Sequence, residues 1–525
     1  MRPAGLLYLY TDKLMEKNNY FLMNPFQKFF HKAGVAIKNF PSAFVGFFAM
    51  LFRGIGRFFV GICKGIVDYF RGFVKGNALT KGSYAIMGLG HMGRGQAAKG
   101  FIYLVIEVMF VLYMVFFGAP YLGKFFYGFF NGGTVGITET ADFWNDDLGI
   151  YEKVVGDNSF KIILYGILTI FMIFFFLAIY LRSLKESREL EVLIRDGKKA
   201  VAFRKEAEAL LNEKFHIPLL SLPMLGLFVF TVVPLVTMII IAFTNYDASK
   251  EVPQHLFSWV GLENFREIFG GNGALNGTFL RVLGWTLVWA FFATFTNYFG
   301  GMIVALLINK KGIKCKKLFR TIFVMTIAVP QFVSLMIVSK MLTAGDSMEM
   351  SGIITQLLYK IFGFQLKFGI NITHTRIAII LVNMWIGIPY SMLICSGILM
   401  NIPADLYESA RIDGAGPVKT FMKITLPYML FVTGPYLITT FIGNINNFNV
   451  IFLLSGGGPG DLLKYSDGAK GTDLLITWLY KLSLGIDRNY KLASVIGILV
   501  FIISATFSLL VYNKSSAVKK EDQFQ

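Results

Sequence analysis

The stretch Asn401-Ile-Pro-Ala-Asp-Leu-Tyr-Glu-Ser-Ala-Arg-Ile-Asp-Gly-Ala-Gly-Pro-Val-Lys-Thr-Phe-Met-Lys-Ile-Thr-Leu-Pro427 is a polar island between two long apolar blocks. Pro403 suits the first turn of a helix, where a missing N–H breaks no bond. Asp405 and Glu408 place negative charge near that N-terminus, where the helix dipole favours it. Gly414 and Gly416 can end the helix and permit a sharp turn, after which Pro417 can start a second short helix. The stretch predicts an exposed helix–turn–helix joining two membrane spans.

The blocks on either side have the length of spans. Hydrophobic residues make up 55% of the 525 positions and charged residues 16%. A soluble chain carries about 25% charge, so a soluble multidomain enzyme and a disordered protein are both disfavoured. A bilayer core needs roughly 20 apolar residues in a helix. Eight stretches qualify: 101–119, 160–181, 218–243, 281–308, 319–341, 376–400, 427–454 and 491–512. Pro330, Pro389 and Pro435 lie inside them, where neighbouring helices can satisfy the freed backbone groups. Cys63, Cys315 and Cys395 are too few and scattered for a disulfide framework or a metal site.

Lys and Arg supply the orientation. Fourteen precede the first span, and the loops then carry 2, 9, 2, 5, 2, 3 and 4, with 3 in the tail. Positive loops stay in the cytoplasm. The N-terminus, the loops 182–217, 309–318 and 401–426, and the C-terminus are therefore expected inside, the later loops by span parity. The opening residues have too short an apolar core before Asp12 and Lys13 to read as a cleavable signal peptide. Residues 24–76 interleave Phe with Lys and Arg, as in an amphipathic helix lying on anionic headgroups. No nucleic-acid fold signature accompanies the net charge of +18. Gly88-Leu-Gly-His-Met-Gly93 fits GxGxxG, but a span follows where a dinucleotide site needs a βαβ unit, so a turn is expected there.

The island resembles the EAA loop of ABC importer permeases. That pattern is Glu-Ala-Ala, three residues, Gly, nine residues, then Ile-x-Leu-Pro, here Glu408, Ser409, Ala410, Gly414, Ile424, Leu426 and Pro427. Ser409 for the first Ala is a small-for-small departure. The resemblance covers roughly 216–513, with six spans, and is closest to the larger, MalF-type subunit of maltose/maltodextrin importers. Val382–Tyr390 and Asn446–Pro459 carry it as well, and two additional N-terminal spans match that type. The large outer domain of the enteric form is absent between the third and fourth spans, where only residues 244–280 lie.

The resemblance implies an all-α integral membrane protein with about eight transmembrane helices around a six-helix type I importer core. Its divisions would be an interfacial segment 1–100, two additional spans with a linker over 101–215, the permease core 216–513 and a tail 514–525. It implies docking of Glu408, Ser409, Ala410, Asp413 and Gly414 on a partner ATPase, with Glu408 paired to a basic residue there. The partners implied are a second homologous permease, two ATPase subunits holding ATP and Mg, and an extracellular, lipid-anchored solute-binding protein. No cofactor is expected on this chain, and the location implied is the bacterial cell membrane.

The polar residues of two spans suit a neutral sugar. Asn383, Ile386, Gly387 and Tyr390 share one helix face, as do Thr440, Asn444 and Asn447. Amides meet sugar hydroxyls and aromatic faces meet sugar C–H surfaces, without fixed charge. Asn in a membrane helix can equally hydrogen-bond a neighbouring helix. The resemblance favours sugar contact by these residues and adds Gly443, which stands where the family form has an aromatic. Ser455–Gly460 lacks the Gly-Lys-Ser/Thr of a P-loop and reads as a turn, or by resemblance a flexible outer loop near the binding protein.

Two rival functions have less support. Ion-coupled carriers bury carboxylates. Here Glu107 is the sole acid in the eight spans, near the cytoplasmic end of its helix. A membrane enzyme would need a reactive constellation, and His31, His91, His216, His255 and His374 are scattered without HExxH or GxSxG. No Walker A sequence occurs, so ATP hydrolysis would belong to a partner.

Overall fold

A computed structural model describes residues 67–514, apart from 131–132, 140, 146–149, 155, 252–255, 272, 311, 313 and 486–487, with isolated positions between 53 and 65. Most of the segment expected to lie on headgroups, and the tail from 515, fall outside the described residues. The longer helices and those joined to them include α1 (Ala97–Phe130), α2 (Ser159–Arg195), α3 (His216–Ile241) and α4 (Ala274–Asn309). There follow α5 (Lys316–Ala328), α6 (Gln331–Leu342), α7 (Ile353–Phe362), α8 (Ile372–Leu399) and α9 (Ala404–Ile412). The last are α10 (Pro417–Val432), α11 (Gly434–Ile445), α12 (Phe448–Ser455), α13 (Leu475–Leu484) and α14 (Tyr490–Lys514).

Among the described residues, six helices are long and apolar enough to span by themselves, and eight spans result if each bent pair counts once. The helical expectation holds, with one addition. Ala141–Asn145 and Ile150–Val154 form an antiparallel hairpin between α1 and α2.

Burial separates centre from rim. In the most apolar window of α1 only 6% of residues are buried, against 39% in α4 and α14. Exposed apolar side chains on α1, such as Phe101, Met109 and Phe116, suit lipid contact. The centre is the α4–α8 pair. A Cβ on Gly301 would stand 2.6 Å from the Met392 backbone nitrogen, and one on Gly387 would collide with the Asn297 side-chain amide. Small residues let the two backbones close up, which is how helices gain packing where water supplies no hydrophobic drive. Trp478 of α13 is fully buried in a second cluster with α4, α11 and α14, and its ring N–H donates to the Asp467 carbonyl at 2.8 Å.

Two spans are broken, and proline chemistry explains both. Between α5 and α6 the chain turns by 89°. Val329 is extended (φ −78°, ψ 125°) because the ring of Pro330 disfavours helix in the residue before it. Between α10 and α11 the bend is 62°, at Thr433-Gly434-Pro435. The buried Tyr298 of α4 holds this corner, its hydroxyl 2.7 Å from that of Thr433. The stretch 427–454, expected as one span, is therefore three helical pieces, with a further stop at Asn446-Asn447.

Before α1, glycine serves packing. Gly88 takes φ +89° and comes so close to Gly100 that a Cβ would meet the Gly100 carbonyl oxygen. Gly90 presses on Ser83 and Ser187. The GxGxxG run is thus the expected turn into the first span. Glu107 accepts the Met87 N–H at 2.7 Å, so it is spent on the backbone of that turn. Arg94 is buried and donates to Asn77, Thr80 and Ser187, with Glu191 at 3.5 Å. Lys99 lies between Glu186 (3.1 Å) and Glu206 (2.7 Å), which fastens this segment to the end of α2.

Candidate functional site

The polar island folds as two helices about a turn. In α9 the last carbonyls are closed by Gly414 N–H to Arg411 (3.0 Å) and Ala415 N–H to Ala410 (2.8 Å). Gly414 takes φ +69°, so this is a Schellman stop that a β-carbon would strain. Asp413 is the C-cap residue. The second helix is longer than the short one expected. It starts at Pro417 and runs through a π turn at Phe421–Thr425 to Val432, the wider turn accommodating Pro427, which has no N–H to give. Tyr407 ties the two helices together, its hydroxyl 3.0 Å from that of Thr425. Ala410 is buried against the fold, while Glu408, Ser409, Asp413 and Gly414 are exposed. Ile412 and Val418 are exposed beside them, giving the island an apolar and acidic outer face.

The eight candidate sugar residues divide into two sets. Asn383, Ile386, Gly387 and Tyr390 of α8 line a cavity of about 510 Å³. Its opposite wall is the broken α5–α6 pair, through Ile322, Met325, Thr326, Val329, Gln331 and Ser334. Asn383 is buried, and its amide Nδ2 has no hydrogen-bond partner. Tyr390 is half exposed. The cavity has the volume of a small-ligand site, with few polar groups on an apolar wall.

The second set lies elsewhere. Thr440, Gly443, Asn444 and Asn447 are not among that cavity's lining residues. Asn444 donates to Thr294 of α4 at 3.0 Å and accepts from Asn447 Nδ2 at 3.3 Å. Asn447 does not continue the α11 face, as the i, i+4, i+7 spacing led one to expect. The helix stops first, and Asn447 caps α12 by accepting the Val450 N–H. Asn is a favoured N-cap because its side-chain oxygen satisfies an orphan amide, and that local bond competes with helix continuation.

Sequence reasoning missed the α5–α6 wall. Gln331 and Ser334 sit in an apolar stretch without a polar cluster, and their one signal was Pro330 inside a span. A second cavity of about 780 Å³, almost wholly apolar, adjoins the first and shares Val329, Ser334 and Trp385 with it.

The Gly/Pro run after α12 is a closely bonded loop. Gly471 N–H reaches the Pro459 carbonyl at 2.8 Å, and the Thr472 hydroxyl reaches that of Gly458 at 2.7 Å. Beneath it the buried Asp473 pairs with Lys481 at 2.6 Å. Burial pushes the Asp473 carboxyl above the usual range, against the pull of the Lys481 ammonium.

A chain of membrane helices with broken spans, a cavity beside a break and an exposed helical island between spans is built as a solute permease. Residues 297–517 match the family of binding-protein-dependent transport system inner membrane components. The maltodextrin transport system permease protein MalC of Streptococcus pneumoniae is 31% identical over 83% of this chain and 95% of its own. The maltodextrin permease MdxF of Bacillus subtilis is 32% identical, with the same shares covered. The galactooligosaccharides permease GanP of Bacillus subtilis is also 32% identical, over 83% of this chain and 97% of its own. The chain belongs to this family of ABC importer permeases, whose members are transport subunits and not enzymes.

Proposed function

We propose that this chain is the larger permease subunit of an importer for neutral oligosaccharides of the maltodextrin type, working with a second permease and two ATPases in a bacterial cell membrane. The observation that carries the reading is the cavity beside the α5–α6 break, walled by Asn383, Gln331, Tyr390 and apolar groups without a carboxylate. Broken helices bring polar groups to a solute at membrane depth. Asn383, Ile386, Gly387 and Tyr390 form the sugar wall. Thr440, Gly443, Asn444 and Asn447 lie outside this cavity, where Asn444 holds α11 against α4 and Asn447 caps α12. Two maltodextrin relatives support that sugar over the galactooligosaccharide of a third at equal identity.

Counted from the basic N-terminal segment inside, span parity puts the α9 island and the C-terminus in the cytoplasm. There the exposed Glu408, Ser409, Asp413 and Gly414 meet the ATPase, which binds ATP and Mg, with the buried Ala410 packed behind them. α9 follows α8 directly, so force at the island reaches the helix that lines the cavity. The ATPase and a solute-binding protein outside each favour one access state, and transport follows from those differential affinities. The test is Glu408→Lys in the assembled importer. We expect ATP hydrolysis to be uncoupled from maltodextrin uptake, which falls at least tenfold; wild-type uptake would sink the coupling role. Uptake measured with maltodextrins against galactooligosaccharides decides the substrate.

A further inference from the structure

We propose that Leu462 and Leu463 form an apolar hook by which this subunit grips the extracellular solute-binding protein, an inference that rests on the importer reading above. Both leucines are 98% exposed, at the tip of the loop between α12 and α13. No other described apolar side chain of comparable size stands so far out.

The tip is held on a built mount. Asp461 accepts the Lys464 and Tyr465 N–H groups on its carbonyl and pairs with the Lys464 side chain at 3.0 Å. Arg281 of α4 donates to the Lys464 carbonyl at 2.7 Å, and Ser466 N–H reaches the Thr278 hydroxyl at 2.9 Å. Fixing the turn this firmly lowers the ordering cost of a contact made at its tip.

Depth argues against acyl chains as the occupant. α4 ends at Asn309, beside the basic loop Lys310–Lys317. Thr278 and Arg281 stand about 42–47 Å along the helix from that end, at about 1.5 Å per residue. The hydrocarbon core is about 30 Å thick, so the loop bonded to these residues lies beyond that core even if α4 is strongly tilted. An exposed leucine pair beyond the hydrocarbon core, flanked by a self-neutralised Asp461–Lys464 pair, suits the apolar contact at the centre of a protein interface. The family's own description makes a binding protein the partner expected on that side.

The mount also continues into the site. Arg376 of α8 donates to the Gly471 carbonyl through Nε (3.0 Å) and Nη2 (2.7 Å), with its guanidinium over the Trp285 ring at 4.3 Å. A load on the hook therefore reaches the outer turn of α8, the helix that lines the cavity and leads into the coupling island.

The test uses the purified importer complex in nanodiscs, with the soluble domain of its solute-binding protein loaded with maltotetraose. For L462S/L463S we expect the binding-protein concentration giving half-maximal ATPase stimulation to rise at least tenfold, with unstimulated ATPase and subunit stoichiometry unchanged. A value within twofold of wild type overturns the hook, and so does loss of the second permease from the complex. Leu463→Trp fluorescence supplies the second readout: a blue shift on adding binding protein supports the hook, and quenching by brominated lipid overturns it. If the wild-type complex is not stimulated at all, the importer reading fails and takes the hook with it. If only the variant fails to differ, the hook alone falls.

Discussion

Two polar stretches in apolar helices look alike as sequence and differ in the fold. Asn383 of α8 is buried with an unpaired amide at the edge of a cavity. Asn444 of α11 is buried with its amide given to Thr294 and its carbonyl to Asn447. A buried unpaired donor is costly and is kept where a ligand or water completes it, whereas a paired one is a fastening between helices. Polarity in a span says only that a residue turns away from lipid. The partner it finds decides whether it binds solute or holds helices.

The largest effect expected from this contrast is on Asn383→Ala with Tyr390→Ala. Maltodextrin uptake should fall at least tenfold while thermal stability in detergent stays near wild type; a fall in stability without a rise in KM would transfer α8 to the fastening class. Next comes Asp473→Asn, which leaves Lys481 with a neutral partner in a largely buried site. The outer loop should lose on the order of 3 kcal/mol of anchoring, read as faster amide exchange over residues 456–473. Asn444→Ala should come third. It strands the Thr294 hydroxyl and should cost about 1–3 kcal/mol in unfolding, with a smaller rise in KM than Asn383→Ala. Pairing it with Thr294→Val removes both partners and should recover part of that loss in a double-mutant cycle. Asn447→Ala should cost about 1 kcal/mol through the lost α12 cap, and Asn447→Asp should restore most of it.

Much of the fold was legible because a bilayer imposes a length. The apolar runs end where charges begin, so span positions followed from counting, and α9 with its Gly414 stop followed from local backbone preferences. The breaks were less legible. Pro330 and Pro435 marked them, but a proline in a membrane helix can be tolerated, kink it or turn it by 89°, according to what packs against it. The Thr440–Asn447 face failed as one helix because Asn447 prefers a cap, and that choice depends on where α12 is held.

The sequence by itself determined the membrane class and the exposed helix–turn–helix at 401–427, since each rests on composition or on contacts within a few residues. Tertiary structure alone decided which amides are spent, that Gln331 and Ser334 share a cavity with Asn383, and that Leu462 and Leu463 are left uncovered. Those outcomes depend on which helix meets which, across separations such as the 150 residues between Thr294 and Asn444, and no local preference encodes them.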